Sequence, residues 1–434
     1  MHSYFRLAGT VLAWSFATST SHYANAEPND GDRREPSTER DGDDRKQTEQ
    51  SDEQQKDSEV TVVPFVGGNS DVGLGGGYIA SIASTAPGHE PYVYRIESAG
   101  TITFQSDDDG IGVPYVDNYL LLSMPHVVKD RVRIEARVSY TREATLKYYG
   151  LGNAAAIPSG RDPSSAYFEH SRVHPTLLFS AEYRNEDVRL NWGFAYTHNW
   201  FEIPEDGKLA EDMRAGSPRV RRLLGEAAAH GSLKLSVGAG LDTRDNEVSP
   251  EHGVYHTVRV DLSPGSLGEH ATIGRWGRFN GAVRFYETLV ERRLVFAARV
   301  LGDFAFGEVP FYELPRFDET FAIGGAKGVR GVPAQRYYGK VKAFANAELR
   351  SELFEFDLLG DARRLGVTGF ADFGRSWADY ESDPELDGDG VGLKYGLGGG
   401  LRLTSGKSFV LRLDVAWSPD AHPISGYLIS GHHF

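Results

Sequence analysis

Residues 131–141 read Arg-Val-Arg-Ile-Glu-Ala-Arg-Val-Ser-Tyr-Thr. Val132, Ile134, Ala136, Val138 and Tyr140 share one parity; Arg131, Arg133, Glu135, Arg137, Ser139 and Thr141 share the other. A period of two puts these sets on opposite faces of a β-strand, one apolar and one polar. The same pattern recurs near the C-terminus. Phe409, Leu411, Leu413, Val415 and Trp417 alternate with Arg412 and Asp414. Leu233, Leu235, Val237, Ala239 and Leu241 alternate with Lys234, Ser236 and Asp242.

About 16 such segments follow one another, each long enough to cross a bilayer at a barrel tilt. They begin near 60, 71, 92, 113, 131, 167, 187, 231, 253, 273, 292, 340, 364, 391, 408 and 425. Linkers after even-numbered segments are short, as at 184–186 and 405–407. Those after odd-numbered segments include long stretches near 149–166, 203–230, 305–339 and 378–390. Short turns on one side and long loops on the other predict an all-β, antiparallel, transmembrane barrel. A soluble sandwich would explain the alternation but not the loop asymmetry. Tyr140, Trp192, Tyr196, Trp200, Trp377 and Trp417 stand at segment ends, where an interfacial girdle places aromatics.

Composition narrows the function. The 434 residues hold no cysteine, which excludes a disulfide scaffold, thiolate metal sites and a cysteine nucleophile. A net charge of −15 opposes nucleic-acid binding. No apolar run after residue 26 approaches the roughly 20 residues of a membrane helix. Residues 1–26 read as a secretory signal: Arg6, an apolar stretch Leu7 to Ala17, and the small-residue site Ala24-Asn25-Ala26. Residues 27–59 hold 13 acids and 6 bases, net −7. They read as a disordered acidic tether, a solvated spacer leading to a barrel over 60–434.

Four blocks carry a family resemblance. Residues 317–350 read FDETFAIGGAKGVRGVPAQRYYGKVKAFANAELR, with Arg330-Gly331 preceded by Val329. Residues 240–255 read GLDTRDNEVSPEHGVY, with Asp242, Arg244 and Asp245 at a strand end. Residues 369–377 read GFADFGRSW and hold Phe370, Asp372 and Gly374 at alternate positions. GLGGGLRL (396–403), LRLDVAWSP (411–419) and the ending ISGHHF supply the last block. Together these resemble the outer-membrane barrel of the bacterial surface antigen superfamily. That superfamily contains BamA, TamA, the two-partner-secretion transporters and the chloroplast import channel.

The resemblance implies a sixth outer loop folded into the lumen, its Arg330 paired with the wall carboxylate Asp372. A guanidinium inside a narrow lumen needs a planar acceptor, and a carboxylate matches its fork. Strand parity puts Asp372 on the lumenal face with Thr368 and Phe370; Asn346, Glu348 and Arg350 are lumenal too. Val332 stands where the family usually has Phe or Tyr. His432 and Ser430 replace the usual apolar residues before the C-terminal signal Phe434. The family's assembly factors and exporters carry POTRA domains before the barrel. The 27–59 segment is too short and too polar for one, so the chain reads as a barrel-only member.

Other chemistry finds little anchor. No His-Glu-x-x-His and no Gly-x-Ser-x-Gly occurs, so a zinc hydrolase and a serine hydrolase are not expected. His432 and His433 fit a periplasmic-rim position better than a metal site. Asp107-Asp108-Asp109 lacks the alternation of a calcium loop. Gly324, Gly325, Gly328 and Gly331 give a loop backbone freedom and do not open a phosphate-binding helix. No cofactor or metal is expected. The expected partners are outer-membrane lipid and periplasmic or substrate proteins. Three functions remain: protein insertion or translocation through a seam between first and last strands, a passive or gated pore, and a structural or adhesive surface barrel.

Overall fold

The computed structural model describes residues 57–434 except 87–88, 108–109, 268–273, 292, 318–319, 322–323, 359–360, 406–408 and 421–423. The expected signal and almost all of the expected tether lie outside the described residues; the last three tether residues, 57–59, instead open the first strand, paired with 83–85. The chain forms a closed antiparallel barrel of 16 strands. The first eight are β1 (Asp57–Asn69), β2 (Gly73–Ala86), β3 (His89–Asp107), β4 (Tyr115–Val127), β5 (Val132–Lys147), β6 (Glu169–Val173 continued by Thr176–Asn185), β7 (Val188–Glu202) and β8 (His230–Asp242). The others are β9 (Gly253–Ser263, with Ser266–Leu267), β10 (Trp276–Val290), β11 (Leu294–Gly307), β12 (Val341–Leu358), β13 (Asp361–Trp377), β14 (Lys394–Ser405), β15 (Phe409–Trp417) and β16 (Ser425–Ser430).

The period of two becomes an inside and an outside. Leu120, Val138, Trp192, Val237, Val300 and Val415 are exposed on the outer surface, where lipid would cover them. Their opposite-parity neighbours Asp117, Thr141, Asn199, Asp261, Arg278 and Asp414 are buried. No helix among the described residues is long and apolar enough to cross a membrane.

The long loops build a second core at one end. In the loop 203–229, α1 (Lys208–Ala215) and α2 (Pro218–Leu224) run consecutively. Ser217 caps α2 by accepting from Val220 N, and Pro218 fixes its first turn. Leu209, Leu223 and Leu224 bury against Tyr148, Trp276, Phe311, Tyr312 and Tyr338. This apolar cap covers one mouth of the barrel.

The strand ladders are long everywhere except at closure. β12 pairs with β13 from Val341–Trp377 to Leu358–Asp361. Among the described residues β1 pairs with β16 only at Gly68–Leu428 and Asn69–Tyr427. β16 ends at Ser430, where Gly431 turns the chain at φ 85°. Residues 57–66 therefore have a strand beside them only on the β2 side, among the described residues. Val60, Val62 and Val66 on this edge are exposed.

Candidate functional site

The site lies where the loop 308–340 meets buried polar side chains of β12 to β16. Register sets the wall. Asn346 pairs with Asp372, Glu348 with Phe370, Asp372 with Gly396, and Gly400 with Asp414. Glu348, Asp372 and Asp414 thus share the polar face, and each is buried.

Arg330 enters this acidic group and is itself fully buried. Its Nε donates to Asp372 Oδ2 at 2.7 Å and its Nη2 to Asp372 Oδ1 at 3.0 Å. Its backbone N also donates to Asp372 Oδ2, at 3.0 Å. Nη1 reaches Glu348 Oε1 at 2.6 Å and Asp414 Oδ2 at 3.2 Å. The guanidinium lies 3.4 Å from the centre of the Phe370 ring. Both edges of the guanidinium are thus bonded and one face is stacked, an arrangement lysine cannot reproduce. The acids are shared with wall cations. Arg350 Nε donates to Glu348 Oε2 at 2.8 Å, and Arg402 Nη1 to Asp414 Oδ1 at 2.5 Å. Arg412 reaches Asp414 at 3.4 Å. A buried charge persists only when so compensated.

Glycine makes the approach possible. A Cβ on Gly396 would stand 1.8 Å from Arg330 O. Gly331 holds φ 95°, which a side chain would strain. Val329 and Val332 are fully buried with Ala282, Leu301, Phe317, Tyr337 and Phe344. Gly374 sits opposite Phe344 across the β12–β13 ladder.

The loop has further anchors. Arg316 Nη2 reaches Glu143 Oε2 on β5 at 3.0 Å, and His174 Nε2 lies 2.9 Å from the same oxygen. Arg278 Nη1 on β10 reaches Glu313 Oε2 at 3.1 Å. Lys342 Nζ donates to Leu314 O and Gly339 O. A cavity of about 2790 Å³ remains beside the loop, with Arg95, Asp117, Arg137, Glu143, Arg284 and Gly325 among its walls.

Asp242 ends β8, and Arg244 and Asp245 lie in the turn that follows it. Arg244 Nε and Nη2 fork onto Asp242, both at 2.7 Å, and Arg189 Nη2 reaches Asp242 at 2.6 Å. Asp245 Oδ1 accepts from Glu251 N and His252 N, closing the turn.

The C-terminal residues depart from expectation. Phe434 is not in a strand, since β16 stops at Ser430. His433 is not at an exposed rim. It is buried, and its Nδ1 lies 2.9 Å from Ala326 O of the loop. Arg299 holds the tail from the wall, with Nη1 3.4 Å from His433 O and its guanidinium 4.9 Å from the Phe434 ring. The cause is local: Gly431 adopts a left-handed φ and turns the tail inward. His432 reaches Ser249 Oγ at 3.1 Å.

Sequence reading passed over Asp414, Arg402, Gly396, Glu143, Arg316, Asp71 and Tyr427. Strand parity signals an inward Asp414, but only the loop's path selects it from the other wall acids. Gly396 stood inside a quoted motif, and its steric role depends on a segment about 65 residues away.

The sequence pattern of the Omp85 superfamily domain matches residues 110–427. Among solved structures, BamA from Haemophilus ducreyi lacking POTRA domains 1–3 is similar, at 17% identity and TM-score 0.57. The match covers 87% of this chain and 70% of that one. CdiB from Escherichia coli is similar at 14% identity and TM-score 0.52, covering 85% of this chain and 62% of that one. At such identities the likeness concerns the fold. No curated protein matches the sequence.

Proposed function

The chain belongs to the Omp85 superfamily, and on that premise we propose that it assists insertion of proteins into the outer membrane, or their passage across it, through the β1–β16 seam. Family membership implies an outer-membrane location. In this reading residues 1–26 direct export, and the stretch from 27 up to the start of β1 at Asp57 tethers the barrel. The observation that carries the reading is the closure itself: two residue pairs join β1 to β16, and residues 57–66 leave a strand edge open. An open edge presents unpaired N–H and C=O groups and templates another strand. In a bilayer such groups are costly to leave unpaired, so an incoming client strand would relieve that cost. No covalent step is required. The loop 308–340, pinned by Arg330, braces the wall and fills part of the lumen.

The outer-membrane and secreted proteomes of a strain lacking the protein, compared with wild type, test this. Loss of one barrel or one exported protein is the expected result and identifies the client. An unchanged proteome overturns the reading. A gated pore is the second reading, favoured by the charged cavity beside the loop. Planar-bilayer recordings should then show ion conductance that rises when the tip 325–334 is deleted.

A further inference from the structure

The two seam strands share few bonds of their own, yet β16 and the turn that ends β1 are both bonded to the same short stretch of loop. On the β16 side, Tyr427 Oη accepts from Gly331 N at 2.9 Å. Ser425 Oγ on the same strand donates to Gly331 O at 3.4 Å. On the β1 side, Asp71 Oδ1 accepts from Ala334 N at 3.0 Å. Asp71 belongs to the turn 70–72 that joins β1 to β2, and its backbone N donates to Asn69 Oδ1 at 2.6 Å. Ser70 in that turn completes the junction, accepting from Gly426 N of β16 at 3.1 Å. Four residues of loop, Gly331 to Ala334, thus span from one side of the seam to the other.

We infer that the loop tip is a clasp holding the seam shut, with Tyr427 and Asp71 as its two catches. This deepens the seam reading above and rests on it. Three features make a clasp of what would otherwise be ordinary loop packing. First, the catches outlie the loop's main anchorage: Arg330 fixes the tip to β12, β13 and β15, none of which is a seam strand. The tip is held firmly to the wall and reaches from there to both edges. Second, the seam ladder is too short to close the barrel unaided, while the loop adds bonds of similar number at the same end. A typical net hydrogen bond contributes on the order of 1 kcal/mol, so a few bonds decide a balance this fine. Third, Tyr427 is buried with Phe370, Ala416 and Ile429, and Ala326 of the loop packs on that group. A displaced loop would therefore uncover β16 as well as release it. Tyr427 and Asp71 are positioning residues: they act on the seam strands, not on a client.

The chain contains no cysteine, so spin labels can be placed without background. One register row crosses the seam: Leu74 of β2 pairs with Gly68, Gly68 with Leu428, and Leu428 with Leu413 of β15. Leu74 and Leu413 are both exposed on the lipid face. Labelled cysteines at Leu74→Cys and Leu413→Cys, read by double electron–electron resonance in nanodiscs, measure the seam width in the full chain. With both catches intact a single short distance is expected at pH 5, where all variants are compared. Tyr427→Phe with Asp71→Ala should add a population longer by at least one strand spacing, about 4.8 Å. Asp71→Asn alone, which retains an acceptor for Ala334 N, should leave the single distance. An unchanged distribution in the double variant overturns the clasp. Heat-modifiable gel mobility selects folded protein. Should the double variant fail to fold, Tyr427→Phe alone takes its place, with the same expected and overturning results. A widened seam in a protein whose loss changes no proteome leaves the clasp standing and removes the insertion reading. An unmoved seam in a protein whose loss depletes a client does the reverse.

Discussion

The wall from β12 to β15 and the seam from β16 to β1 face the same loop, but they are built oppositely. The β12–β13 ladder runs the whole length of both strands, and a buried guanidinium ties the loop to its acids. At the seam the ladder is two residue pairs long, and neutral groups, a tyrosine hydroxyl and backbone amides, make most of the loop contacts. The difference separates permanence from release. Opening a buried network of paired charges strips those charges of their partners, which is prohibitive. Opening a few neutral hydrogen bonds costs little, because water or another strand replaces them. The loop is therefore fixed to one side of the barrel and only fastened to the other.

The comparison breaks first at Arg330. Arg330→Ala leaves Asp372 without its forked partner and should destabilise the barrel by about 3–5 kcal/mol, the usual effect of removing one member of a buried pair. Heat-modifiable gel mobility checks this: the variant should lose its folded band at a clearly lower temperature than wild type. Arg330→Lys should recover only part of the loss, because an ammonium cannot bond Asp372 and Glu348 in one plane. A wild-type profile in both would show that the fixed side is not fixed by this residue.

A smaller effect is expected from Gly396→Ala. The added methyl meets Arg330 O at 1.8 Å, so strand or loop must move. Overpacking of this kind costs about 1–3 kcal/mol. Trypsin sensitivity at Lys327 should rise, since a loop pushed from its wall loses the Arg299 Nη2 bond to Lys327 O, 2.7 Å long. Unchanged cleavage would mean that the strand gives way and the loop does not.

These two residues also mark what the sequence discloses. The barrel was legible because a two-residue period is a local property: each strand states its own faces. Arg330 and Asp372 were legible through motifs, and Glu348 through parity. Gly396, Asp414, Tyr427 and Asp71 were not. Each matters through contact with a loop segment from 66 to 263 residues away in sequence. The inward turn at Gly431 was hidden for another reason, since a glycine near a chain end looks the same whether the strand continues or stops. An imperfect seam is part of the insertion reading the family resemblance implies; that it narrows to two residue pairs depends on where β16 ends.

The mildest expected effect sharpens the fastened side. Asp71 lies outside the strands, in the β1–β2 turn. Burial raises its carboxyl pKa from 3.8 to about 6, and the bond from Ala334 N only partly offsets that. Its Oδ2 has no hydrogen-bond partner among the described residues, and Gly325 stands close to it. The titratable groups facing it are the hydroxyls of Tyr149 and Tyr427, and neither supplies a positive charge. The sign follows from the raised value: the closed clasp favours the protonated acid. Its contribution is fully present below the ordinary pKa of 3.8 and is lost as pH rises through about 6. The seam should accordingly open more often at pH 7.5 than at pH 5, by a few-fold, since Asp71 is only half-buried and solvent screens part of the effect. Asp71→Asn is neutral at both pH values and keeps the acceptor, so it should remain closed at both. The Leu74–Leu413 label distance, recorded at the two pH values, decides the matter: a wild-type response that persists in Asp71→Asn assigns the titration to some other group.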